Sequence, residues 1–307
     1  MTRRAWIAAA VIASCLCAWP AAAAAAITPL TLAQRFQPHL LFDSNERWRP
    51  LDVDRFLAEP GNQVCARGSA PVCAPLTTPA QLTPAAAFID LRGTRSDGQD
   101  AAAPDLATCA KSAPTLLDCD RGGRSRIYAH VRPGGSRTAI DYWWFLRYNA
   151  LERDLHEGDW EGVTVIVDAR GDRVLQVHFP AHISSWRYGR RIPRLDGGRH
   201  VRVYVARGSH AAYPRACTRS PCHQTGGTLP EGRFDGRRPW AGNDAAACPR
   251  SCVRLLPEQG GVPASWDAWD GRWGIPLSLL FAPPRTPAFQ PRYQDPFAST
   301  VSSRSRF

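Results

Sequence analysis

Two acidic side chains, Asp159 and Glu161, stand two residues apart in the segment His156-Glu157-Gly158-Asp159-Trp160-Glu161, just before a β-branched run from Val163 to Val167. Alternate residues of a strand share a face, so Asp159, Glu161, Val163, Val165 and Val167 are expected to project together. That aligns two carboxylates with an apolar stripe. A buried ionised carboxylate is costly unless a cation, a metal or hydrogen-bond donors meet it. The nearby candidates for that role are His156, Arg147, His178, Arg207 and His210.

Three chemistries fit. The first is a divalent cation held by Asp159 and Glu161, with His156 or His210 completing the set; hard oxygen ligands suit calcium, magnesium or manganese, and an imidazole shifts the choice toward manganese or zinc. The second is metal-assisted or metal-free hydrolysis of a phosphodiester, ester or glycoside, with His156, Glu161 and His210 as the candidate acid and base groups. The third is a buried charge network without a ligand, in which the carboxylates meet Arg147, Arg207 or the Ser209 and His210 region and tie strands together. Trp160, Arg207 and Ser209 are the expected binding residues around the block. Ser209 beside His210 invites a nucleophile reading, but Gly208-Ser209-His210 lacks the strand-to-helix elbow of a hydrolase and reads as a turn.

Other chemistry-bearing residues have plainer readings. His178 and His182 flank Pro180 near a strand end, which suits a surface or turn role. Trp266, Trp269 and Trp273 read as core packing rather than as a sugar-stacking face. Arg187, Arg190, Arg191 and Arg194, with Trp186 and Tyr188, form a basic loop that is the best-placed contact for an anionic surface. The expected partners are an anionic membrane surface or a glycan, with the chain a monomer. No nucleic acid is expected, because no basic run carries interleaved aromatics of the single-strand type.

The elements that must position these residues are short. Ile127 to Val131, Ile140 to Tyr148, Gly162 to Val167, Val174 to Phe179 and Val201 to Ala206 are rich in branched or aromatic residues, with turns such as Ala169-Arg170-Gly171-Asp172 between them. Closely spaced strands without long helices between them predict a mostly β chain, an antiparallel β-sandwich-like domain with long loops and a few short helices. Helices are expected over Leu32 to Leu41 and from Asp52 to Leu57. With 44% hydrophobic residues and 11 Trp, the chain has ample material for a core, and its 27 Pro and 24 Gly point to many turns. The formal charge of +11 is nearly all arginine, since Lys111 is the one lysine. Arginine in place of lysine is also what a GC-rich genome produces.

Residues 1–26 read as a secretory signal: Arg3 and Arg4, an apolar stretch from Ala5 to Ala18, then the alanines 21–26. The protein is expected to be secreted or periplasmic. Ile12-Ala13-Ser14-Cys15 also fits a lipoprotein processing box, the alternative being an outer-membrane lipoprotein held through Cys15. Residues 27–298 read as a single domain with cysteine-bearing inserts at about 60–125 and 215–255, the first of them loop-like, and 299–307 as a disordered tail. Beyond the leader are Cys65, Cys73, Cys109, Cys119, Cys217, Cys222, Cys248 and Cys252, an even set that predicts disulfides. Neighbours pairing with neighbours is the simplest connectivity.

Five blocks in order carry a family resemblance: Phe36 to Leu57 with Glu46 and Pro50, Tyr142-Trp143 to Tyr148-Asn149, the His156 to Glu161 block, Val203 to Pro214 containing Arg207-Gly208-Ser209-His210, and Gly271-Arg272-Trp273-Gly274. Together they resemble the vacuolar protein sorting sixty-two family of plants, fungi and bacteria, whose name implies no settled biochemistry. More distantly, Asp159-Trp160-Glu161 is similar to the Asp-Trp-Glu of the necrosis-inducing secreted toxins of plant pathogens. That likeness implies a β-sandwich on which an Asp, a Glu and a His surround a divalent cation used at a membrane.

Overall fold

The computed structural model describes residues 27–46, 48–58, 61–66, 72–90, 126–151, 155–181, 184–189, 191–192, 195–218, 222–223, 230–231, 234–240, 243, 252–257, 265–275 and 282–298. The leader, the tail, and the predicted clip between Cys109 and Cys119 lie outside them.

Helix α1 spans Pro29–Arg35, where Thr28 accepts from the Thr31 amide at 3.1 Å and Pro29 opens the first turn. It ends before the expected Leu41. Pro38 disfavours helical backbone at Gln37, and the chain leaves as strand β1, His39–Phe42. Helix α2, Val53–Leu57, falls within the expected range from Asp52 to Leu57, with Asp52 as its N-cap. The strands that follow are β2 (Gln63–Ala66), β3 (Cys73–Pro75), β4 (Ala86–Asp90), β5 (Ile127–Gly134), β6 (Arg137–Asn149), β7 (His156–Asp168), β8 (Val174–Ala181) and β9 (Ser184–Tyr188). After them come β10 (Leu195–Asp196), β11 (His200–Val205), β12 (Ala212–Tyr213), β13 (Cys222–His223), β14 (Pro230–Glu231), β15 (Arg238–Pro239) and β16 (Val253–Leu255), and a short helix α3 (Pro291–Gln294).

Two sheets make the core. One runs β16-β5-β6-β7-β8-β9, and the other β10-β11-β1-β15 with β12 on β11. Most pairings are antiparallel, as expected, but β1 with β11 and β16 with β5 run parallel. The long central pair β6 and β7 is covered on both faces, which is why its sequence reads as a near-continuous apolar run. On one face the Tyr142 hydroxyl donates to the Ala33 carbonyl of α1 at 2.7 Å. On the other, Trp266 and Trp273 pack against Trp160 with ring centroids 5.8 and 5.6 Å away, and Tyr293 stacks on His130 at 3.9 Å. Trp266, Trp269 and Trp273 are thus core residues, as the sequence suggests.

The first insert is not all loop. β2, β3 and β4 form a small antiparallel sheet, stitched where Cys65 faces Cys73 by the disulfide between them. Cys217 and Cys252 each take part in a disulfide, while the side chains of Cys222 and Cys248 lie outside the described residues. Nor is the segment 184–188 a basic loop: it is strand β9, hydrogen-bonded along β8 from Val177↔Tyr188 to Ala181↔Ser184. Alternation there turns Trp186 inward, against Tyr213 at 5.0 Å. Among the described residues no helix is long and apolar enough to cross a membrane.

Candidate functional site

His210 is the counterpart that Asp159 needs. β11 ends at Val205, and the chain folds back through a tight loop closed by His210 N–H to Ala206 C=O at 3.1 Å and Ala206 N–H to Ala211 C=O at 3.1 Å. Within that loop His210 has φ 56°, the one left-handed non-glycine among the described residues. This aims a fully buried imidazole at β7, where Nδ1 sits 2.9 Å from Asp159 Oδ2. On its far side Nε2 lies 3.5 Å from Glu46 Oε2, an ion-pair rather than a hydrogen-bond separation. Glu46 is itself held by two amides, Trp48 N–H to Oε1 at 2.8 Å and Gly208 N–H to Oε2 at 2.7 Å.

Burial alone would strip the proton from His210, but the Glu46 and Asp159 carboxylates outweigh it and raise its pKa to about 10. Burial pushes Glu46 up, yet the His210 charge and the two amides together bring it down to about 2. An imidazolium is therefore clamped between two carboxylates, with its Nδ1–H spent on Asp159.

Other candidates have contacts of their own. His156 Nδ1 donates to the Gly158 carbonyl at 2.8 Å. Ser209 is buried in the turn, its Oγ accepting from the Ala211 amide at 3.4 Å. Arg207 is exposed, and the Arg147 guanidinium sits 5.9 Å from the Phe56 ring. No three ligand atoms drawn from Asp159, Glu161, His156 and His210 lie within 4.8 Å of one another; among the described residues only Cys65, Cys73 and Asp90 meet that test, and two of these form a disulfide. The donor set therefore does not fit a divalent cation as it stands.

Glu161 lines a different feature. The β7 and β8 pairing begins at Thr164↔His178 and runs toward the hairpin turn, and at the end away from that turn lies a cavity of about 590 Å³. Trp143, Trp160 and Glu161 line it from β6 and β7, His178 from β8, Arg187 from β9, and Arg292 from α3. The Arg292 guanidinium lies 3.5 Å over the Trp143 ring and 3.0 Å from Asp141 Oδ1. Gly162 makes this possible, since a Cβ there would stand 2.1 Å from Tyr142 O and 2.2 Å from Arg292 Nη2. Asp141 also accepts from Thr164 Oγ1 at 2.6 Å and Trp143 Nε1 at 2.7 Å.

No family model matches the chain, and neither does any curated protein. Among solved structures it is similar to NLPPya in complex with mannosamine, at 16% identity and a TM-score of 0.43 over 90% of this chain and 91% of that one. A structure described as a toxin fold for microbial attack and plant defense gives 16% identity and 0.43 over 86% of each chain. Necrosis and ethylene inducing protein 2 from the causal agent of cocoa's witches' broom disease gives 16% and 0.31, over 56% of this chain and 59% of that one. At these values a shared ligand does not follow.

Glu46 stands in a sequence block without a role of its own there, and Asp141 and Arg292 carry no local signal in the sequence. His178, which the sequence assigns a surface or turn role, is half-buried in β8 with Nε2 buried and without a hydrogen-bond partner, and burial together with Arg187, Arg292 and Arg137 lowers its pKa to about 3. Gly162 in an otherwise bulky strand was the available signal, because a strand glycine often marks the close approach of another group.

Proposed function

We propose that this chain is an exported binding protein whose ligand seat is the cavity beside Glu161, and that its ligand is a sugar-sized molecule or glycan end group. The observation that carries this is the cavity itself. Its volume of about 590 Å³ falls within the roughly 300–1,000 Å³ of small-ligand sites. Trp143, Trp160 and Trp186 supply an apolar wall, and Glu161, Gln290 and Gln294 supply hydroxyl-bonding groups. A polyol with one apolar face meets both requirements. The export part of the reading rests on the leader.

The test is a calorimetric titration of a monosaccharide panel against the purified mature protein and Ala298→Trp. Ala298 is exposed on the cavity lining, so the indole fills space without disturbing the core. Saccharide binding by the native chain, weakened at least tenfold in Ala298→Trp with an unchanged melting temperature, is expected. Absence of binding to every panel member at millimolar concentration would sink the reading.

The reading is metal-free, because His210 already supplies the positive charge that Asp159 requires. Dialysis against EDTA should leave melting temperature and ligand affinity unchanged. A stoichiometric divalent ion by elemental analysis, lost together with stability on chelation, would restore the cation at Asp159 and Glu161.

A further inference from the structure

We infer that the Arg187 end of this cavity seats an oxyanion, the carboxylate, phosphate or sulfate of the ligand. The inference rests on the cavity reading above and adds the ligand's charge. His178, Arg187 and Arg292 line this end of the cavity together, and burial followed by the charges of Arg187, Arg292 and Arg137 lowers the His178 pKa. Arg292 is committed, with Asp141 at 3.0 Å and the Trp143 face beneath it. Arg137 lies against the Phe297 ring at 5.0 Å.

Arg187 is the unmatched member. Its Nη2 reaches only the Phe297 carbonyl, at 3.5 Å, its Nε is buried without a hydrogen-bond partner, and among the described residues no carboxylate lies within ion-pair distance of it. Burial, and after it Arg137, lower the pKa of Arg187. A guanidinium in that setting presents parallel N–H groups matched to a two-oxygen anion, which would convert an uncompensated charge into a bidentate pair. The positive end is local. Glu161 and Asp295 also line the cavity, so the ligand must be anionic toward Arg187 and neutral or hydroxylated toward Glu161. An acidic sugar has that polarity; a bare polyanion does not.

The experiment compares glucuronate with glucose, and galacturonate with galactose, at fixed ionic strength, on the mature protein, Arg187→Gln and Arg187→Lys. Inorganic sulfate serves as competitor. Vesicles of phosphatidylglycerol and of phosphatidylcholine are run in parallel to separate a lipid headgroup source from a free acidic sugar. The uronates should bind at least tenfold tighter than the matching hexoses, and sulfate should displace them. Arg187→Gln should bring each pair to parity, and Arg187→Lys should retain part of the preference. Phosphatidylglycerol capture lost in Arg187→Gln would support the same oxyanion seat with a lipid source. Equal affinity for uronate and hexose in the native chain, or a preference that survives Arg187→Gln, would overturn the inference while leaving the cavity reading in place. Binding of neither sugar class nor vesicles would remove both.

Discussion

Replacing His210 with glutamine should cost about 3–5 kcal/mol of folding stability, the range for breaking a buried ion pair by removing one partner. Glutamine nearly preserves the volume but leaves Glu46 and Asp159, both buried, without the cation between them. Much of the loss should reflect the carboxylates left behind rather than the contacts removed. Adding Glu46→Gln and Asp159→Asn to His210→Gln should therefore recover a good part of it, a non-additivity a double-mutant cycle in urea would read directly. A fully additive triple variant would contradict the clamp.

The pH profile carries the same signature with a defined sign. The His210 pKa is raised from 6.5 to about 10, so its contribution is fully present below 6.5 and drains away as pH rises toward 10. Glu46 is lowered from 4.5 to about 2, so its contribution is present above 4.5 and drains away as pH falls toward 2. The clamp's own contribution should plateau between these limbs, and His210→Gln should lack the alkaline limb. Asp141 acts in the opposite sense: burial raises it from 3.8 to about 6 against the pull of Arg292, so its contribution is present below 3.8 and is lost as pH rises through about 6. Subtracting the variant's curve from the native one removes that slope, because Asp141 pairs with Arg292, Thr164 and Trp143 rather than with the clamp.

The sequence made one half of this arrangement legible. Period two places Asp159 on the face that meets the second sheet, and the apolar runs mark the strands, because those signals are local. Glu46 was not legible as the other half, since its position depends on a long-range pairing. β1 runs parallel to β11 with Phe42 beside Val205, so the turn carrying Glu46 and the loop carrying Gly208 and His210 leave the sheet at the same end. No local pattern announces a parallel partner so distant in sequence. The cavity is harder still to foresee. Its walls include β9, whose Arg187 belongs to an arginine-rich stretch that reads as a loop, and the proline-rich segment around α3, which has no hydrophobic period and is fixed by Arg292 and Tyr293 reaching β6 and β5. The five blocks of the family resemblance converge in space: Glu46 and Gly208 bond, Asp159 and His210 pair, Leu51 N–H meets Phe145 C=O at 2.8 Å, and the glycine-rich last block abuts β7.

That last contact predicts a second large effect. Gly158 has φ +57°, and a Cβ on it would stand 1.9 Å from the Trp273 carbonyl oxygen; reciprocally, a Cβ on Gly274 would stand 2.3 Å from the Glu157 carbonyl oxygen. Two backbones thus touch where no side chain fits, and the touch seats Trp273 against Trp160, Trp266 and Trp269. Gly158→Ala carries about 1–2 kcal/mol for left-handed backbone and about 1–3 kcal/mol more for moving tightly packed neighbours. Gly135→Ala is the matched control. Its φ is +69° with nothing within 4 Å of the added Cβ, so it carries the backbone cost alone. Urea midpoints should separate the two variants by the packing cost, and only Gly158→Ala should change the near-ultraviolet circular dichroism of the tryptophan cluster. Equal losses with an unaltered aromatic signal would mean that the last block does not hold the cluster through this contact.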